Sequence, residues 1–272
     1  MMLLKLLKPE GECTVTKSAT STEYSTAEIL SVMSSRILED GKVLFAGVGI
    51  PLLAATLAQR LHAPHLTILF EGGVVGPFIE AGKLPPSTNE ARTARRANMV
   101  PSPTDVLALL QRGYVDYGFM GGAQVDQYGN LNSSFIGDPG NPKVRLPGSG
   151  GGNDIASLAK MIVAMPHEKK RLVEKVDFVT SPGYLDGGST RHDSGLITGN
   201  MYKVITNLCI MDFDEDNKKM RLEALHPGVE VDEVLENTDF KPVIPEELRI
   251  TSPPTEEELG ILRELDPERM YL

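Results

Sequence analysis

Cysteine is scarce in this sequence. Only Cys13 and Cys209 occur, far apart and in no CxxC or Cys/His spacing, which excludes a cysteine-based metal site and fits a reducing, cytoplasmic setting. Excess positive charge is missing too. The formal net charge is −10, which argues against nucleic acid or an anionic membrane as partner. It leaves an anionic small molecule open, because a local site can oppose the global sign. Long apolar runs are absent: no segment approaches the roughly 20 apolar residues of a membrane span. The opening "MMLLKLLKPE" is broken by Lys5 and Lys8 and has no small-residue cleavage site, so a signal peptide is not expected. Also missing are an internal repeat and a GxSxG elbow. What remains is 41% hydrophobic and 24% charged over 272 residues, enough for a sizeable globular core.

The pattern along the chain is that of an α/β protein. Residues 1–24 read as a flexible N-terminal segment, polar and aperiodic from Pro9 onward. Ser25 and Glu28 have capping-box spacing, and Ile29, Val32, Met33 and Ile37 share a helical face that Gly41 ends. "KVLFAGVG" reads as a buried strand, "PLLAATLAQRLH" as a helix opened by Pro51, and "LTILFE" as a second strand. That succession is a parallel βαβ unit. Residues 77–102 are loop-rich. "TDVLALLQRG" reads as a helix with Thr104 or Asp105 near its cap, and "VDYGFMGG" as a strand. Residues 137–153 form a long Gly/Pro-rich loop, "DIASLAKMIVAM" a helix or helix–strand pair, and "KVDFVTSP" a strand. "YKVITNLCIMDFDEDNKKMRLEAL" reads as two strands around an acidic turn, and "PTEEELGILRELDP" as a helix capped by Thr255 with Glu258. The expected architecture for residues 25–272 is one α/β domain with an open, mostly parallel sheet flanked by helices.

Four stretches carry candidate chemistry. Gly47-Val48-Gly49, with Glu71 about twenty residues on, has the outline of a dinucleotide site. Leu52 stands at the third glycine position, however, and Pro51 removes an amide, so a tight βα turn is the better reading. Glu71 is the second: a carboxylate at the end of an apolar strand is either used, paired with a helix or solvated in a turn. Gly72 and Gly73 behind it permit close approach of a ligand or of backbone. The third is "GGAQVDQYGNLNSS". Gly129-Asn130 suits a turn, which leaves Gln124 and Asn132 open, the latter as a carboxamide donor to an oxyanion. The fourth is "GSGGGND", an anion-binding run of amides or a flexible linker. It lacks the Gly-Lys-Ser/Thr ending of a P-loop. His62, His65 and His167 read as surface histidines, Arg92, Arg95 and Arg96 as a solvated cluster, and Cys209 as inert core.

Taken together, "LFEGG", "GGAQVDQYGNLNSS", "GSGGGNDIAS" and "VDFVTSPGYLDGG" resemble the beta subunit of the glutaconate-type CoA-transferases of family I, in order and spacing from about Ser25 onward. The resemblance implies an open α/β fold and an alpha-subunit partner in a heterodimer or α2β2 tetramer. It implies acyl-CoA and a short carboxylic acid as substrates, no tightly bound cofactor and no metal. It puts the catalytic carboxylate at Glu71, which would form a glutamyl-CoA thioester. Gly72, Gly73, Gln124, Asn132, Gly150 and Gly151 would surround the oxyanion and the CoA thioester. One departure is Gly-Gly after the glutamate, where many members have Asn-Gly or Ser-Gly. Another is that "VITNLCIMDFD" and "LHPGV" also resemble relatives that hydrolyse a ring C–C bond or decarboxylate a CoA ester. Those relatives lack the beta-subunit glutamate, so Glu71 favours transfer. A non-enzymatic, CoA-binding role is the third reading.

Overall fold

The computed structural model describes residues 23–272. The expected flexible segment therefore lies outside the described residues, except for Glu23 and Tyr24, and Tyr24 packs against the core. The first helix, α1 (Thr26–Ser35), starts at Ser25, whose hydroxyl and Glu28 exchange the two bonds of a capping box. It stops at Arg36, before the turn that carries Gly41 at φ 70°. Then come β1 (Val43–Ala46), α2 (Ile50–Leu61) with Pro51 in its first turn, and β2 (Thr67–Phe70), parallel to β1. A two-residue β3 (Val74–Val75) turns back on β2. Helix α3 (Pro103–Gln111) is capped by Ser102, with Asp105 as its return partner, so the cap lies ahead of the expected Thr104 or Asp105.

The next strands are β4 (Tyr117–Met120), β5 (Gln124–Asp126) and β6 (Leu131–Asn132), followed by the ribbon of β7 (Phe135–Asp138) and β8 (Asn141–Arg145). That ribbon occupies part of what the sequence suggests is one long loop. Helix α4 (Gly152–Leu158) leads into β9 (Lys160–Ala164), so "DIASLAKMIVAM" is a helix–strand pair. "KVDFVTSP" is not a strand. Only Leu172–Val173 before it pairs, as β10 with β5, and its own amides at Thr180 and Ser181 reach Leu131 O. After the short α5 (Thr190–Asp193), β11 (Asn200–Ile205), β12 (Cys209–Phe213) and β13 (Met220–Leu225) make a three-stranded run instead of the expected hairpin. The extra turn lies inside an apolar stretch, where Thr206 Oγ1 accepts from the amides of Leu208 and Cys209. The chain closes with α6 (Val231–Glu236), β14 (Arg249–Ile250) and α7 (Glu256–Leu265), the last with the expected Thr255–Glu258 box.

Nine strands form the main sheet, in the order β14-β13-β12-β11-β9-β4-β1-β2-β3. Its centre, from β11 to β2, is parallel; antiparallel pairs lie outside it on both sides. One face carries α1, α2 and α7 over a core that includes Leu44, Leu53, Ile68 and Phe119. The other carries α3 and α4 over Phe45, Leu69, Met161 and Val163. Strands buried on both faces read as continuous apolar runs, as β1, β2 and β9 do. Gly118 sets the height of α4: a Cβ there would overlap Ile155 Cγ2, so its absence lets the helix lie close on the sheet. Arg191 fixes the far end of the same helix. Its buried guanidinium donates to the carbonyls of Ala156 and Ser157 (2.9 and 3.2 Å) and also to Gly183 and Thr198. Burial lowers its pKa, but carbonyls at a helix C-terminus favour a cation.

Candidate active site

The sheet register assembles the site at the carboxyl ends of its central strands, where open α/β sheets leave a crevice. Phe45 lies beside Leu69, and Ala46 beside Phe119. Continuing that register sets Gly47 between Glu71 and Met120. Side chains on one rung share a face, so Glu71 and Met120 rise on the α4 side with Gly47 between them. The Glu71 carboxylate meets the glycine run ahead of α4. Gly151 N–H donates to Glu71 Oε2 at 3.0 Å. A Cβ at Gly151 would stand 2.9 Å from that oxygen, and one at Gly150 would be 3.4 Å from both carboxylate oxygens, at a φ of 51°. Those two glycines let backbone come up to the carboxylate.

A cleft of about 200 Å³ opens beside this contact, bounded by Ala46, Gly47, Glu71, Met120, Ser133 and Gly148 among others. Among the described residues, Glu71 is the only ionisable side chain on its wall. Ser133 is a member that the sequence did not single out, although it lies within the quoted "NLNSS" stretch. Its hydroxyl donates to Gly148 O and its carbonyl accepts from Gly148 N–H, both at 2.8 Å. That pair of bonds pins the start of the glycine run.

Gln124 and Asn132 lie behind the cleft wall. The Asn132 amide donates to Gln124 Oε1 at 2.8 Å and to Phe135 O at 2.6 Å, and its Oδ1 accepts from Ser134 N–H at 3.0 Å. With both amide hydrogens taken inside the chain, no donor is left for an oxyanion, contrary to the expectation for this residue. The pair fixes the backbone on either side of Ser133 instead. Gly72 and Gly73 also differ from their expected part. A Cβ at Gly72 would overlap Thr88 O and Asn89, and one at Gly73, where φ is 96°, would overlap Pro101 O. The space behind the glutamate is filled by the chain's own loops and not left for a ligand.

The remaining motif residues pack against each other. Asp126 Oδ1 accepts from Tyr128 N–H and Asn130 N–H, and Asn130 Oδ1 accepts from the amides of Gly183 and Leu185. The "YGN" and "SPGYLDGG" segments are therefore one knot, with Gly129 at φ 75° in the expected turn. Arg92 pairs with Glu90 and Arg95 with Glu80, while Arg96 covers the Phe78 ring. His62 Nε2 contacts Leu38 O, and His65 contacts Asp40. His167 is buried, not at the surface, between the hydroxyls of Thr206 and Thr238 at 3.0 Å each, and burial pushes its pKa down to about 4. Cys209 is core, its thiol pushed up to about 12 by burial. No group of three or more His, Cys, Asp or Glu suited to a metal ion occurs among the described residues. No helix among them is long and apolar enough to cross a membrane.

An α/β fold built on a mostly parallel sheet agrees with the comparisons with known proteins. The chain belongs to the coenzyme A transferase family, which it matches over residues 27–237. It is 38% identical over 245 residues to the B-type chain of 3-oxoadipate CoA-transferase from Pseudomonas knackmussii, covering 89% of this chain and 94% of that one. It is 34% identical to the B-type chain of glutaconate CoA-transferase from Acidaminococcus fermentans, covering 92% and 96%. The crystal structure of glutaconate coenzyme A-transferase from that organism superposes with a TM-score of 0.85, at 33% identity over 92% of this chain and 98% of the other. A more distant relative, the cholesterol ring-cleaving hydrolase IpdB subunit of Rhodococcus jostii, is 28% identical over 93% and 97%.

Proposed function

We propose that the chain is the beta subunit of a heteromeric CoA-transferase and that Glu71 is its nucleophile, moving coenzyme A between short carboxylic acids. One observation carries the reading: among the described residues, the one ionisable group in the cleft is a carboxylate with a backbone N–H held on one oxygen at 3.0 Å. The other oxygen is then free to attack. Attack of Oε1 on an acyl-CoA thioester expels CoA thiolate and leaves an acyl–glutamyl anhydride. The thiolate adds to the glutamyl carbonyl, the carboxylic acid leaves, and a glutamyl-CoA thioester remains. The acceptor acid attacks that thioester, and the released thiolate then takes the new acyl group and restores Glu71. In each addition to the glutamyl carbon, negative charge develops on Oε2. The Gly151 N–H serves that oxyanion, with Gly150 keeping the loop close. Gln124 and Asn132 act through Ser133, and Gly72 and Gly73 through the fold.

Residues 25–272 work as one α/β domain in this reading, and coenzyme A comes and goes as substrate. The relatives named as the B-type chains of their transferases support an alpha-type partner chain, in a heterodimer or α2β2 assembly. The free, buried thiol of Cys209 suits a reducing, cytoplasmic setting. The test uses the chain co-purified with its partner, supplied with an acyl-CoA and an acceptor acid. Exchange of CoA is expected, with a loss of roughly 1,000-fold or more in Glu71→Ala. Full exchange in that variant would overturn the role of Glu71. Consumption of the CoA ester without any acceptor would favour the hydrolase or decarboxylase reading to which the IpdB relative points. Stable assembly with no turnover would favour a non-enzymatic, CoA-binding role.

A further inference from the structure

Gly47 is a glycine for which the fold gives no reason. Its φ is not positive, and a Cβ built on it would meet nothing nearer than Phe119 O at 3.9 Å. The neighbouring glycines are different: side chains at Gly72, Gly73 or Gly118 would run into the chain itself. Gly47 lines the cleft, on the rung between Glu71 and Met120. Adjacent strands are about 4.8 Å apart, so a side chain here would rise directly beside the nucleophile. The cleft around it is lined by the apolar side chains of Met120 and Ile155 and by the polar Thr88, Ser133 and Ser149. The cleft has a volume of about 200 Å³. A short acyl chain fits beside Glu71 in a space of that size.

Resting on the transferase reading, we propose that Gly47 sets the acyl specificity of this chain. The acyl chain of the substrate lies over Gly47 when its thioester carbon meets Glu71, with Met120 as the opposite wall. An alanine at 47 would shorten the accepted chain, and a valine would shorten it further.

The experiment uses the complex of this chain with its partner, as wild type, Gly47→Ala and Gly47→Val. Each is incubated with acetyl-, butyryl- and hexanoyl-CoA. The readouts are kcat/KM for CoA exchange and CoA bound to the peptide that contains Glu71. The thermal midpoint of Gly47→Ala should move by less than about 3 °C, because a Cβ at 47 meets no protein atom nearer than 3.9 Å. In Gly47→Val, kcat/KM on the longest acyl-CoA that the wild type accepts should fall roughly 10-fold or more, and on acetyl-CoA by less than about 3-fold. Gly47→Ala should fall between. An equal loss for every chain length would place the pantetheine arm over Gly47 and overturn the acyl assignment. An unchanged profile in both variants would overturn it too, as would a large fall in thermal midpoint, which would return Gly47 to the fold. Absence of exchange and of any Glu71 adduct in the wild type would instead sink the transferase reading on which the proposal rests.

Discussion

Glu71 follows the last residue of β2, and Asp126 is the last residue of β5. Both carboxylates belong to signature stretches, yet their surroundings differ. Asp126 is 3% exposed, and its oxygens accept from the amides of Tyr128 and Asn130 and twice from the Asn130 side chain, at 2.9 to 3.1 Å. Burial nevertheless raises its pKa. Glu71 has one backbone N–H on one oxygen and a cleft before the other. A carboxylate whose lone pairs are filled by its own chain is a structural bolt. One left half-filled beside open space can form a bond. The difference lies in hydrogen-bond inventory together with burial: Asp126 is buried with its oxygens filled, whereas Glu71 is half-buried with one oxygen facing the cleft.

The largest expected effect comes from setting the two acids against each other. Glu71→Ala should abolish exchange by roughly 1,000-fold or more while leaving the thermal midpoint within a few degrees, since a single bond to the fold is lost. A variant that unfolded would make Glu71 a structural bolt as well.

The second effect concerns another buried group held from both sides. His167 takes a proton near pH 6.5 in the unfolded chain and near 4 in the fold, because burial disfavours its charged form. The unfolded chain therefore binds the extra proton between those values. Stability is fully present above about pH 6.5, falls as the pH drops toward 4, and levels off below. The single-site loss is of the order of 3 kcal/mol. His226, also lowered by burial, adds a loss of the same sign. Urea melts at pH 7 and pH 4.5 should show this slope, reduced in His167→Gln. An unchanged slope in that variant would remove His167 from the account.

The smallest effect is expected in Asp126→Asn. The substitution faces the Asn130 amide with a second amide donor in place of a carboxylate oxygen. Denaturant unfolding should show a cost of about 1–2 kcal/mol, and kcat of the folded complex should stay within about 3-fold. A kcat loss as large as that of Glu71→Ala would erase the distinction between the two acids.

Local rules made much of this fold legible. The boxes at Ser25–Glu28 and Thr255–Glu258, Pro51 in the first turn of α2, and the β1-α2-β2 unit all follow from nearby residues. The misses have physical causes. Thr206 to Cys209 turn through a threonine hydroxyl inside an apolar run, so the run looks like one strand. "KVDFVTSP" has strand composition, but its Asp177 carboxylate accepts from Gly137 N–H, and its Thr180 hydroxyl accepts from Ser133 N–H, so it is held through side chains. His167 precedes a charged stretch and looks solvated, while its ring reaches inward to Thr206 and Thr238, far off in sequence. At the site, the position of Glu71 on a strand end was legible. The separate parts of Gly72–Gly73 and Gly150–Gly151 were not, because what approaches a glycine is decided by segments distant in the chain.

The most direct test of the central claim is mass spectrometry of the peptide containing Glu71, after the complex is mixed with an acyl-CoA and quenched. The account predicts a CoA adduct on Glu71 that disappears when a carboxylic acid acceptor is added. An unmodified Glu71 peptide in a complex that still exchanges CoA between acids would contradict it.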